Sequence, residues 1–182
     1  MRAGKILAQT WWQVNKDHYE TWGADQAMKL SSSSEFHFTD EPAVELWAQQ
    51  FAVLLRPPLH LYFSGELGVG KTTLIRAILR ALGVQGRIKS PSFAIVESYE
   101  VNEILIYHLD LYRIADPEAL EYIGIYDYLA AKALCFIEWP ERGGDLIPTA
   151  DLSFSLSMAT QGRECKITAN TPRGKQVLNV MS

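Results

Sequence analysis

The stretch Gly65-Glu66-Leu67-Gly68-Val69-Gly70-Lys71-Thr72-Thr73 concentrates the residue types that handle phosphate. It satisfies the pattern G-x-x-x-x-G-K-[ST] and lies between an apolar run, Leu59 to Ser64, and a segment of helical apolar spacing, Leu74 to Leu82. Strand before and helix after is the setting in which this pattern has physical meaning. Glycines at 65, 68 and 70 permit positive φ and gather backbone N–H groups around an anion. Lys71 then reaches the β- and γ-phosphates, and the Thr72 hydroxyl ligates Mg²⁺. The helix N-terminus faces the same anion. These residues point to a site for a nucleoside triphosphate.

Such a loop needs an acidic partner for the metal and for the nucleophile. Two carboxylates compete, each at the C-terminal end of an apolar run, the edge where α/β sheets place ligands. Asp110 ends Ile104 to Leu109, and Glu138 ends Leu134 to Ile137. Spacing does not rank them. In Ser90-Pro91-Ser92, the proline stiffens a loop and the Ser92 hydroxyl is a candidate sensor of the γ-phosphate. Trp139, beside Glu138, packs over the site or into the core. His108, Arg113 and Arg142 are candidate cations, read more simply as a strand histidine and solvated charges. Arg76 and Arg80 share a helical face and, with Arg87 and Lys89, form a modest basic patch.

The elements that must position these groups follow from the rest of the chain. Its 182 residues, 48% hydrophobic and 21% charged, suit one globular domain with a substantial core. Cys135 and Cys165 lie in apolar strand-like runs and read as reduced core thiols of a cytoplasmic protein. A net charge of −4 argues against autonomous binding to nucleic acid, and no apolar run nears the roughly 20 residues of a membrane span. Residues 1–35 read as a weakly ordered N-terminal extension, with Ser31 to Ser34 as a flexible joint and Met28 as a possible start of a shorter chain. Residues 36–182 read as the P-loop domain.

Within that domain, Glu35 to Thr39 forms a short strand, and Thr39 or Asp40 caps a helix whose apolar stripe runs through Val44, Leu46, Trp47, Phe51 and Leu54 and which stops before Pro57-Pro58. Ala94 to Val101 and Ile104 to Leu111, separated by Asn102-Glu103, form an antiparallel hairpin. Asp116-Pro117-Glu118 opens a short helix with Leu120, Tyr122 and Ile123 on its apolar side, closed by Gly124. Ala133 to Ile137 is a strand buried on both faces. Leu152 to Met158 and Glu164 to Ala169 are late strands, and residues 172–182 carry no identifiable chemistry.

Four stretches occur together in one order: the loop at 65–73, Lys-Ser-Pro-Ser-Phe at 89–93, Tyr-His-Leu-Asp-Leu-Tyr-Arg at 107–113 and Ile-Glu-Trp-Pro-Glu-Arg at 137–142. Over about residues 36–180 the chain resembles the bacterial TsaE (YjeE) family, ATPases that assist threonylcarbamoyladenosine formation in tRNA. The resemblance implies an α/β, P-loop NTPase-like three-layer fold with a mixed, centrally parallel sheet and antiparallel hairpin additions. It implies ATP and Mg²⁺ as cofactors, and TsaB and TsaD as partners whose complex is reset by hydrolysis, with tRNA met only through that complex. Carried onto matching positions, Lys71 holds phosphates, Thr72 and Glu138 are Mg²⁺ ligands, and Asp110 has a Walker B-like or water-orienting role. Trp139 lies near the site, and the segment from His37 to Glu41 lies near the base. One departure is Ser92, where the family usually has Thr; the hydroxyl survives.

Two rival readings fit the same residues. A P-loop small-molecule kinase fits the size, although no arginine-bearing lid segment is visible. A non-catalytic module, in which nucleotide only tunes assembly, fits the loop equally. A guanine-specific switch lacks its Asn-Lys-x-Asp motif after the loop.

Overall fold

The computed structural model describes residues 33–92 and 94–181. The expectations for a weakly ordered arm and a start at Met28 lie outside the described residues. The strands are β1 (Ser33–Phe38), β2 (Leu59–Ser64), β3 (Val96–Val101), β4 (Ile104–Asp110), β5 (Ala133–Glu138), β6 (Leu152–Met158) and β7 (Arg163–Ala169). The helices are α1 (Glu41–Ala52), α2 (Lys71–Leu82), α3 (Ala119–Tyr122), α4 (Ile125–Ala130) and α5 (Pro172–Met181).

All seven strands form one sheet in the order β1-β7-β6-β2-β5-β4-β3. The central four, β6-β2-β5-β4, run parallel. Antiparallel pairings add β7 and β1 at one margin and β3 at the other. Alternation along each strand then builds three layers. Leu61, Phe63, Leu134 and Phe136 face a core closed by Trp47 and Phe51 of α1, Ile75 and Leu79 of α2, and Leu178 of α5. Tyr62, Leu109 and Ile137 face the opposite way, onto Leu120, Ile125 and Leu129 of α3 and α4. The centre of the sheet is therefore covered on both sides, which is why all six residues of β5 are buried. The expected P-loop-like α/β fold is present.

Local chemistry accounts for most boundaries. Asp40 caps α1 by accepting the Ala43 N–H at 2.9 Å, with Pro42 in the first turn. Asn102 and Glu103 take φ of 50° and 67°, the left-handed pair that joins twisted strands in a two-residue hairpin. Asp151 is buried at the opposite edge from the phosphate loop, where its carboxylate accepts the His60 N–H at 2.9 Å and the Thr171 hydroxyl. It thereby joins the starts of β2 and β6 to the approach of α5.

Several expectations need correction. The serine joint is partly strand: Ser33 and Ser34 pair with Thr168 and Ile167, because backbone ladders hold where side chains contribute little. Leu46 is exposed, so the core stripe of α1 runs through Val44, Trp47 and Phe51 without it, and Tyr122 is 93% exposed, so the apolar side of α3 is Leu120 without it. Gly124, at φ 73°, does not only close α3; it also opens α4, which sequence spacing did not reveal. Residues 172–181 form α5, which packs Val177 and Leu178 on the core.

Both cysteines are free and buried, and burial pushes each thiol up to about 12. Native protein is therefore expected to resist a thiol-exchange reagent at about pH 8, and both thiols to react once denaturant unfolds the chain. Rapid labelling of either cysteine before unfolding would contradict this core.

Candidate nucleotide-binding site

Parallel pairing brings the C-terminal ends of β2, β4 and β5 to one edge of the sheet. In register, Phe63 stands opposite Glu138, and Asp110 stands opposite Glu138 on the other side. The two acids singled out in the sequence are thus neighbours on adjacent strands. The loop leaves β2 at this edge and runs directly into α2. Its entry is tight: at Gly65, with φ 136°, a Cβ would lie 2.4 Å from the Leu156 carbonyl oxygen. Only glycine allows β2 and β6 to approach so closely there.

Glu138 is the hub of the site and is only 2% exposed. The Thr72 hydroxyl lies 2.8 Å from both of its carboxylate oxygens, and His108 Nε2 lies 2.9 Å from Oε1. Lys71 donates to the carbonyl oxygens of Gly65 at 2.6 Å and Glu66 at 2.9 Å. Its ammonium also sits 3.8 Å from the centre of the Trp139 ring, a cation–π contact. Burial lowers the Lys71 pKa below its ordinary value, while Glu138, Glu141 and Asp110 act in the opposite direction. Trp139 reaches this position through a left-handed backbone, φ 58°, with its N–H donating to Phe63 oxygen at 3.1 Å. A non-glycine residue held there stores strain that the surrounding hydrogen bonds must offset.

Asp110 is held separately. The Ser90 hydroxyl donates to Oδ2 at 2.9 Å and the Tyr112 N–H to Oδ1 at 3.0 Å. Ser92 also lines the cavity of about 360 Å³ at this edge, together with Gly68, Gly70, Lys71, Thr72, Thr73, Asp110, Glu138 and Trp139. The sequence favoured Ser92 as the functional hydroxyl of its loop; Ser90 is the one bonded to an acid. Leu67 lines the rim and is 72% exposed, whereas Val69 is turned into the core. Glu66 contributes its carbonyl oxygen to Lys71.

The base-side candidates stand apart from this cavity. Glu41 lines a neighbouring groove of about 420 Å³ between α1 and α2, across from Arg76 and Arg80, and Thr73 borders both spaces. His37 is exposed on β1 with its Nε2 2.6 Å from the Gln161 carbonyl oxygen. Arg113 lines the phosphate-side cavity. Arg163 was missed by sequence reasoning altogether. It starts β7, yet its guanidinium lies against Gly70, where a Cβ would fall 2.8 Å from Nη1. No local motif marks it, because only the β6–β7 turn brings it to the loop.

The donor set suits a hard cation with oxygen ligands: a hydroxyl, a carboxylate and whatever oxygens a phosphate chain supplies. Among the described residues no three His, Cys, Asp or Glu side chains converge into a cage. The pairing of the Thr72 hydroxyl with the Glu138 carboxylate fits Mg²⁺, which is usually held by one or two carboxylates plus substrate phosphates.

The loop geometry separates two glycines. Gly65→Ala is expected to cost about 3 kcal/mol in denaturant unfolding, combining backbone strain with the approach to Leu156. Gly68→Ala, whose Cβ would meet nothing within 4 Å, should cost only about 1 kcal/mol. Equal losses would contradict the close passage of β2 against β6.

Comparison with known proteins gives the family. Residues 38–165 match the family model described as threonylcarbamoyl adenosine biosynthesis protein TsaE. The chain is 38% identical to the tRNA threonylcarbamoyladenosine biosynthesis protein TsaE of Haemophilus influenzae, over 80% of this chain and 96% of that protein. It is 30% identical to the protein of the same name from Bacillus subtilis, over 67% of this chain and 77% of that one. The crystal structure of Bacillus subtilis YdiB superposes with a TM-score of 0.71 at 23% identity, covering 82% of this chain and 93% of YdiB, a likeness of fold. From its loop, its strand-end acids and these relatives, the chain belongs to the TsaE family.

Proposed function

We propose that this chain binds ATP with Mg²⁺ at the β2–α2 loop and hydrolyses it to support N6-threonylcarbamoyladenosine formation in tRNA. The pathway is the one that its relatives' names state. The carrying observation is the contact between the Thr72 hydroxyl and the buried Glu138 carboxylate at the end of the loop. We assign the direct metal contact to this pair, and to Asp110 the orientation of the attacking water, since Ser90 and Tyr112 already fix its carboxylate. Bound Mg²⁺ would supply charge neutralisation on the β- and γ-phosphates.

Lys71 leaves the Gly65 and Glu66 carbonyls to meet the phosphate chain, and Trp139 limits where its ammonium can go. Arg163 adds positive charge beside Gly70, and Arg113 adds it at the cavity wall. We assign the base to the side of His37 and Glu41; Glu41 lines the groove that Thr73 shares with the cavity. The chain acts with TsaB and TsaD in the cytoplasm, resetting that complex between turnovers, and meets tRNA only through it. Its net charge of −4 supports indirect contact, and among the described residues no helix is long and apolar enough to cross a membrane.

Phosphate release from ATP tests the reading. The isolated chain is expected to turn over slowly and to accelerate when TsaB, TsaD and tRNA are added. Release no greater than that of Lys71→Ala in the full mixture would contradict catalysis, and a phosphorylated small-molecule acceptor would favour a kinase. Glu138→Ala is expected to lower Mg²⁺-dependent hydrolysis by about 100-fold or more. Nucleotide affinity measured in EDTA should survive that change; equal loss of both would count against the metal assignment.

A further inference from the structure

His108 is wholly buried in β4, two residues before Asp110, yet among the described residues its imidazole makes a single polar contact. Nε2 lies 2.9 Å from Glu138 Oε1, and Nδ1 is buried with no hydrogen-bond partner among the described residues. A carboxylate oxygen only accepts here, so the tautomer inferred from the contact carries its hydrogen on Nε2. The other nitrogen then faces its surroundings unsatisfied, a cost to the core. An apolar side chain of similar size would avoid that cost, so the imidazole's contribution lies in what it does to Glu138.

We propose that His108 is a positioning residue that holds the Glu138 carboxylate in a metal-ready orientation, an inference that rests on the function proposed above. A glutamate side chain rotates about three torsions, and its two oxygens are otherwise interchangeable toward a cation. The Thr72 hydroxyl lies equally near both oxygens and does not distinguish them. His108 does: it engages Oε1 alone, from the adjacent strand, and fixes the plane of the carboxylate. Asp110 is held by other donors, Ser90 and Tyr112, so the effect of His108 falls on Glu138. Hydrogen bonds to a ligating carboxylate commonly change metal affinity by about 10–100-fold when removed.

The test measures free Mn²⁺ by its paramagnetic resonance signal, titrated into the full chain with saturating ADP. His108→Leu is expected to weaken Mn²⁺ binding by about 10–100-fold while nucleotide affinity in EDTA stays unchanged. His108→Gln, whose amide nitrogen can stand in for Nε2, should recover most of the loss. A folded His108→Leu variant with unaltered Mn²⁺ affinity, or a His108→Gln variant no better than it, would overturn the proposal. Should His108→Leu fail to fold, His108→Asn withdraws the donor with a shorter amide, and unaltered Mn²⁺ binding there overturns it equally. Absence of nucleotide-dependent Mn²⁺ binding in the unsubstituted chain would instead overturn the functional reading, and this inference with it.

Discussion

Burying a carboxylate costs far more than a folded domain can tolerate unless hydrogen bonds and opposite charge replace the lost water. Glu138, at the end of the most deeply buried strand, imposes that requirement on everything near it. Thr72 and His108 supply the hydrogen bonds, and Lys71 supplies nearby positive charge. They come from two elements: Thr72 and Lys71 from the first turn of α2, and His108 from the body of β4. The parallel register of β2, β5 and β4 brings them to one edge. The site is therefore a consequence of solvating one acid inside the sheet's C-terminal edge.

The same requirement explains where the backbone is forced. Gly65 lets the loop leave β2 beside the Leu156 carbonyl, and Trp139 turns left-handed immediately after Glu138. The turn lays an indole against the Lys71 ammonium, which the Gly65 and Glu66 carbonyls also hold. Strain of this kind persists where surrounding contacts over-determine it. Here those contacts are the ladder bond from Trp139 to Phe63 and the packing of Trp139 on Tyr112, 5.0 Å between ring centres.

How much of this was legible beforehand depends on whether the information is local. The phosphate loop, the Asp40 cap and the Asn102-Glu103 hairpin are short-range signals, and each was readable because its residue types dictate its own backbone. The continuous apolar run of β5 announced a strand covered on both faces, whereas the three-layer fold rested on the family resemblance. Spacing alone did not choose between Asp110 and Glu138, because strand register decides which acid meets Thr72; only the family resemblance paired Thr72 with Glu138. The bond from Ser90 to Asp110 and the approach of Arg163 to Gly70 depend on contacts distant in sequence. Ser33 and Ser34 hid a strand because an edge pairing needs only backbone groups, and α4 is too short to show a helical period.

Glu138 as the metal-bearing acid is the point on which the functional account turns. The most direct measurement is a crystal structure of the chain with Mg²⁺ and a non-hydrolysable ATP analogue. Expected is a metal bound by the Thr72 hydroxyl and a Glu138 oxygen, with His108 still on Glu138 and Asp110 still bonded to Ser90. A metal coordinated by Asp110, with Glu138 remaining hydrogen-bonded to Thr72, would contradict it.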